Sequence, residues 1–399
     1  MNTKNLILTS TANMTDAQWL EWRKPLYHIK RYLEATIFQE WTAEELWKKN
    51  GVAYVALTSF FDSADWKKLQ FPCVGASEVA VVMGLNPYQS IIELFYEKCG
   101  IKPTYDEDNA AMFWGRELEE QIAQKWQYWD GESETMIDNF NRGNILRKCR
   151  RMNNYIQNRA FPWLFCSLDR VINKASSRPE GALECKCISG FAANMWQDGI
   201  PPMYVTQLQC QLGITEFEFG ELAILKDGRY MDVFPFDASE GIITAIVEKS
   251  RRFNELVKAA CAHYLCYLTC PDEQVQARHM AEIDKLAPEP DGSKSYEKYL
   301  KDTYTDQGGE LLGGVVQLQY AKDHQYYKKE IERLDTLQTF CSNNLRAFMG
   351  NQQKISFGDD GHVTWKADKN GTRSMRFKIK LDAGYTPEAL NTVNNSVNK

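Results

Sequence analysis

Asp169 and, fifteen and seventeen positions further on, Glu184 and Lys186 are the residues of this 399-residue chain whose types and spacing best suit chemistry. Two carboxylates offer hard oxygen ligands to Mg²⁺ or Mn²⁺. A lysine two residues beyond one of them can position or activate an attacking water and offset charge at a phosphate. That is a minimal set for opening a phosphodiester bond with a divalent metal. The same three residues also fit an ordinary hairpin with a surface Glu and Lys, so the elements around them decide.

Trp163 to Ile172 is rich in aromatic and β-branched residues with alternating faces, which predicts a strand. Lys174 to Gly181 reads as a turn, and Ala182 to Ile188 as the returning strand. Alternation puts Glu184 and Lys186 on one face and Leu183, Cys185 and Cys187 on the other, with Asp169 within reach on the neighbouring strand. Upstream, Ala111 to Trp126 has helical periodicity. Trp114, Leu118, Ile122, Trp126 and Trp129 form its apolar arc. Glu117 and Glu120 fall towards solvent. Glu119 falls inside the apolar half, where a carboxylate must be paired or bind a cation; a salt bridge and a metal ligand both satisfy that rule. Downstream, Pro202 to Leu212 places Tyr204, Gln207 and Gln211 on one helical face, either to hold a water or as a solvated stripe.

The motifs occur in a fixed order. They are Gly-Ala-Ser-Glu (75–78), Gly-Leu-Asn-Pro-Tyr (84–88), Trp-Gly-Arg-Glu-Leu-Glu (114–119), Ser-Leu-Asp (167–169), Leu-Glu-Cys-Lys (183–186) and Tyr-Val-Thr-Gln-Leu-Gln (204–209). Over roughly residues 71–260 the chain resembles the lambda-exonuclease-like, YqaJ-type viral recombinases of the PD-(D/E)xK nuclease superfamily. The resemblance implies an α/β (α+β) fold with a restriction-endonuclease-like core, a mixed central sheet flanked by helices. It implies one or two Mg²⁺ or Mn²⁺ ions held by Glu119, Asp169, Glu184 and the backbone carbonyl of Cys185. It assigns the catalytic lysine to Lys186, a supporting role to Gln207, and terminal 5′-phosphate capture to Ser77, which also suits a plain helix cap. It implies an exonuclease on linear double-stranded DNA ends that resects 5′ to 3′ and feeds single-strand annealing. Endonuclease or RecB-like repair cleavage on the same core is the alternative, and a non-catalytic DNA-end scaffold the reading of another class. A homo-oligomer, ring-shaped in some relatives, and an annealing partner follow from the same resemblance.

Two departures stand out. The family has Gly after the motif Asp, whereas this chain has Arg170. The family also has an Arg shortly before the Ser turn. If Trp66 marks the family's Trp, Gln70 takes that place; Trp19-Leu-Glu-Trp-Arg23 fits the motif as well, with an insertion after it. The phosphate-gripping cation is thus Arg23, Lys67 or Lys68.

Net charge is −6, which does not advertise nucleic-acid binding as a whole. Yet Asn139 to Leu168 holds no Asp or Glu and carries Arg142, Arg147, Lys148, Arg150, Arg151 and Arg159. Leading into the metal hairpin, this run suits a DNA track through Arg147, Arg150 and Arg151, or a solvated loop. Eleven cysteines show no paired framework. Cys261, Cys266 and Cys270, with Cys99, lack the tight spacing of an iron–sulfur site and read as packed thiols. No apolar run reaches membrane-spanning length and no export signal is evident, so the expected place is the cytoplasm of a bacterium or phage-infected cell.

The expected organisation is a helical region over 1–70, the nuclease core over 71–262, a linker over 263–308, a long helix with a small β element over 309–386, and a disordered tail over 387–399. The last helix-plus-sheet segment also resembles the C-terminal extension of YqaJ-type proteins, where oligomerisation and DNA guidance are both open.

Overall fold

The computed structural model describes residues 52–57, 73–101, 110–152, 154–158, 160–161, 163–175, 179–188, 196, 199–306, 308–367, 371–381 and 385. Arg23, Lys67, Lys68 and the tail after Tyr385 lie outside these, as does most of the region expected to be helical.

In chain order the described part begins with strands β1 (Val52–Leu57) and β2 (Val74–Gly75). Helices α1 (Val79–Val82), α2 (Ile91–Lys98), α3 (Ala110–Trp126) and α4 (Ser133–Arg142) follow. Strands β3 (Cys149–Arg150), β4 (Asn154–Asn158), β5 (Leu164–Cys166), β6 (Arg170–Ile172) and β7 (Gly181–Ile188) come next. Then come α5 (Pro202–Thr215), β8 (Phe219–Lys226), β9 (Tyr230–Asp237), α6 (Glu240–Thr269), α7 (Glu273–Leu286) and α8 (Lys294–Thr303). A second compact unit, from Asp306 onward, holds α9 (Val315–Met349), β10 (Lys354–Ser356), β11 (Gly361–Ala367) and β12 (Arg373–Ile379).

Among the described residues, the first unit carries two sheets, ordered β3-β6-β7-β8-β9 and β1-β4-β5-β2. In the larger, β7 and β8 are parallel and every other pair is antiparallel. A parallel pair needs a crossover, and α5 lies in it. On one sheet face, Ile122, Ala123 and Trp126 of α3 bury against Ile172, Leu183, Cys185 and Ala223. On the other, Leu208, Leu212 and Ile214 of α5 join Ala182, Leu222, Ile224 and residues of α6. This is the mixed, helix-flanked α/β core that the resemblance implies.

Four expectations change. The single strand expected over Trp163–Ile172 is two, β5 and β6, which belong to different sheets. Ser167, Leu168 and Asp169 carry the chain between them, so Asp169 stands just outside the ladder. Val52–Leu57 pairs with β4 as a strand within the stretch expected to be helical. The expected linker contains two helices. Asp272 caps α7 by accepting from the Gln274 and Val275 amides, and Ser293 caps α8 by accepting from Tyr296 N. Ile283, Tyr296 and Tyr299 are buried, which anchors these helices on the first unit. Finally, Trp114 of the expected apolar arc is 57% exposed, because the first turns of α3 project beyond the sheet while Ile122 and Trp126 reach it.

Candidate active site

β7 carries the central residues. Arg170 pairs with Leu183 across the ladder, and directly paired residues share a face. Arg170 therefore points with Leu183 towards α3, while Glu184 turns to the α5 side. The ladder stops at Arg170, and the Asp169 side chain replaces its next rung: Oδ2 accepts from Cys185 N at 2.7 Å.

Glu184 is buried, 2% exposed, and fully engaged. Gln207 Nε2 donates to its Oε1 and Gln211 Nε2 to its Oε2, each at 2.6 Å. Lys186 Nζ lies 2.6 Å from Oε1. Gln207 and Gln211 are four residues apart on α5, so one turn presents both amides to the same carboxylate. Gln211 also donates to Ser167 O at 3.2 Å, tying α5 to the segment before Asp169. Its own buried Oε1 has no partner among the described residues.

Charge is unevenly met here. Burial, then the Glu184 and Glu119 carboxylates, hold the Asp169 carboxyl well above its ordinary value, with Lys186 and the Cys185 amide pulling the other way. Burial pushes Lys186 down, but Glu184 and Asp169 more than reverse it, so its net shift is upward and it stays protonated. Cys185 is buried on the α3 face, and desolvation raises its thiol far above the usual range.

Glu119 and Glu120 are both held by Arg170, through Nη1 to Glu119 at 2.9 Å and Nη2 to Glu120 at 2.6 Å. Arg170 is the departure from the family's glycine, and its side chain is only 5% exposed. Glu120, expected to face solvent freely, also takes Arg151 at 2.7 Å. Its carboxyl is lowered first by the Gln124 amide and then, against burial, by Arg170 and Arg151.

The basic run divides. Arg147 is turned inward: it donates to both Glu221 oxygens, at 3.1 and 2.9 Å, and lies 4.4 Å over the Trp126 ring. Trp126 Nε1 donates to the same carboxylate at 2.7 Å. Its place is between α3 and β8, not on an open DNA track. Arg150 pairs with Glu180 at 2.9 Å and Arg151 with Glu120, both on the surface.

Ser77 is exposed in the turn between β2 and α1. Glu78, not Ser77, is the residue before the helix. It accepts from Gly75 N at 2.8 Å and pairs with buried Lys98 at 2.8 Å. A side chain at Gly75 would meet the Phe165 ring at 2.9 Å, so the turn approaches β5 as only glycine allows. β5 leads directly to Asp169, and this brings the Ser77 turn to the same end of the fold.

Cys99 and Cys261 lie together in the core, with Cys261 Sγ 3.8 Å from Lys98 O. Burial and Cys261 push the Cys99 thiol far up, as expected for packed thiols. Cys266 and Cys270 lie further along α6 and at its end.

Among the described residues, no three of His, Cys, Asp and Glu gather to hold a metal ion. The donors do fit a smaller demand. Asp169 and Glu184 press two negative charges together, and the orphaned Gln211 oxygen beside Glu184 can accept from a water held by a cation there. Glu119 arrives from the opposite sheet face and is taken by Arg170.

Sequence reasoning overlooked Arg170, Glu120 and Glu221 as site or supporting residues. For Arg170 a signal was available, since one step past Asp169 the alternation forces it onto the α3 face.

Residues 65–218 match the YqaJ-like viral recombinase domain family. The uncharacterised protein YqaJ of Bacillus subtilis (strain 168) is 22% identical over 294 residues, covering 70% of this chain and 78% of that protein. An alkaline exonuclease from Laribacter hongkongensis has 20% identity and a TM-score of 0.40, over 51% of this chain and 96% of that one. A phage-related exonuclease from Haemophilus somnus 129PT has 14% identity and a TM-score of 0.30, over 48% and 98%. The site built on β6, β7 and α5 thus lies within residues 65–218, the segment that matches the YqaJ-like viral recombinase domain family.

Proposed function

We propose that the chain is a metal-dependent deoxyribonuclease, an exonuclease that acts on linear double-stranded DNA ends and resects them 5′ to 3′ for single-strand annealing. The observation that carries this reading is the convergence of Asp169, Glu184 and Lys186 beside paired glutamines inside a YqaJ-like domain. Asp169 and Glu184, with the Cys185 carbonyl, would hold Mg²⁺ or Mn²⁺. Such an ion supplies a Lewis acid and a water of lowered pKa.

The chain's own groups do the rest. Gln207 and Gln211 fix the Glu184 carboxylate, so its oxygens stay aimed at one place. Lys186 keeps its proton, faces the charge that develops on the phosphate, and orients the attacking water rather than taking its proton. Glu119, if released from Arg170, would be a further ligand for the ion. The Ser77 turn, at the same end of the fold, receives the terminal phosphate. Self-association, an annealing partner and a cytoplasmic setting in a bacterial or phage-infected cell belong to the same proposal.

The test compares 5′-phosphorylated linear duplex, 5′-hydroxyl linear duplex and covalently closed circles, each with Mg²⁺ and with Mn²⁺. Loss of linear DNA alone, fastest with the 5′-phosphate, is expected. Cutting of closed circles would assign an endonuclease, and binding without cutting a scaffold.

A further inference from the structure

The second compact unit ends in a three-stranded antiparallel sheet, ordered β10-β11-β12. Its register sorts the side chains by face. Lys354 pairs with Thr364, and Thr364 with Arg376; Ser356 pairs with His362, and His362 with Lys378; Lys366 pairs with Ser374. Directly paired residues, and those two apart on one strand, share a face. One face therefore presents Lys354, Lys366, Arg376 and Lys378 around His362, with only hydroxyl side chains between them. Among the described residues it holds no carboxylate.

The other face is built differently. Ile355, Val363 and Phe377 pair across it, and Trp365 pairs with Met375. Its cation, Arg373, lies 3.6 Å over the Trp365 ring and donates to Gly350 O at 2.8 Å, so it holds the sheet to the end of α9. The four cations of the first face have no ion pair among the described residues. All four are exposed. Among the described residues, the acids Asp359 and Asp360 lie in the turn between β10 and β11, at one end.

This arrangement costs the isolated sheet. Strands lie about 4.8 Å apart and alternate residues about 7 Å apart, so like charges crowd one another. The crowding registers at His362, which burial and then Lys354, Lys378 and Lys366 hold below its ordinary value. A face that served solubility alone would mix signs. In a chain of net charge −6, a patch with one sign implies a partner of the other.

We infer that the β10–β12 face bearing Lys354, Lys366, Arg376 and Lys378 is a docking surface for the phosphate backbone of DNA. The partner is a polyanion because the face offers several fixed cations, ammonium and guanidinium, and hydroxyls but no apolar group. Binding is blind to sequence, since such contacts reach phosphates and not base edges. The inference rests on the nuclease reading only for the choice of DNA as the polyanion.

Fluorescence anisotropy of a labelled linear duplex, with the full chain in EDTA over a salt series, tests it. The triple variant K354Q/R376Q/K378Q is expected to bind at least about tenfold more weakly at moderate salt, with the log K against log[salt] slope shallower by up to about 3. R376K, which keeps the charge, should bind as the parent does. The triple variant should still cut short duplexes at low salt and high enzyme concentration, with unchanged thermal unfolding. Equal affinity and slope in parent and triple variant would overturn the inference. So would polyglutamate that competes as well as DNA of equal charge, which would assign the face to an acidic protein. Because binding is read without divalent metal, a chain that binds but never cuts defeats the nuclease proposal and leaves this inference standing.

Discussion

Burial and the neighbouring Glu184 and Glu119 carboxylates raise the Asp169 carboxyl well above its ordinary value, and this has a consequence for stability. A folded carboxyl raised above its unfolded value keeps its proton over a pH range where the unfolded chain has lost it. That contribution is present at low pH and is lost as pH rises through the folded value. In EDTA, Asp169→Asn should therefore raise the unfolding temperature at pH 8 and flatten the pH dependence. The same variant should lose the stabilisation that Mn²⁺ gives the parent. Thermal unfolding across pH, with and without Mn²⁺, checks both. At Arg170, alanine removes two charged hydrogen bonds and should cost about 2 kcal/mol in EDTA, while Glu119, once released, lets Mn²⁺ bind more tightly by calorimetry. The shared face of Glu184 and Lys186 was legible in the sequence because strand alternation is local. Arg170's grip on Glu119 and Glu120 spans about fifty residues of sequence, and no periodicity reports such a contact.

Elements hold these residues in place through a few buried polar ties. Glu221 of β8 takes both Arg147 and Trp126 Nε1, which locks the end of α3 to the sheet. Glu221→Ala leaves a mostly buried guanidinium without its carboxylate and should cost about 3 kcal/mol in a denaturant titration. Arg147→Gln should likewise lower stability while leaving the salt slope of DNA binding unchanged; a shallower slope would restore it to a DNA track. The basic run misled here because charge pattern does not say which way a loop residue turns, and Arg147 finds an acid 74 residues further along the chain. The helices at 273–303 were hidden by their polar, Pro-bearing sequence, although the caps Asp272 and Ser293 were readable signals. The break between β5 and β6 escaped notice because both halves are β-prone, and only the sheet each half joins separates them.

At the scale of the whole chain, one compact unit ends at Thr305 and the other begins at Asp306. The long helix and the small sheet of the second unit appear much as periodicity predicts. Only Met349 of α9 is buried, while Tyr320, Tyr327, Ile331 and Leu334 stay exposed along it. An apolar stripe of that kind favours self-association. Light scattering should therefore show a mass that grows with concentration, and Ile331→Lys with Leu334→Lys should return it to that of one chain. No helix among the described residues is long and apolar enough to cross a membrane. What tests the account most directly is hydrolysis of linear duplex DNA, with Mg²⁺ and with EDTA, by the parent, Glu184→Gln and Lys186→Ala. The parent should cut only with Mg²⁺, Glu184→Gln should not cut, and Lys186→Ala should be slower by about 10²–10³ while still binding Mn²⁺. Cutting that persists in Glu184→Gln, or in EDTA, would contradict a metal centre built on Asp169 and Glu184.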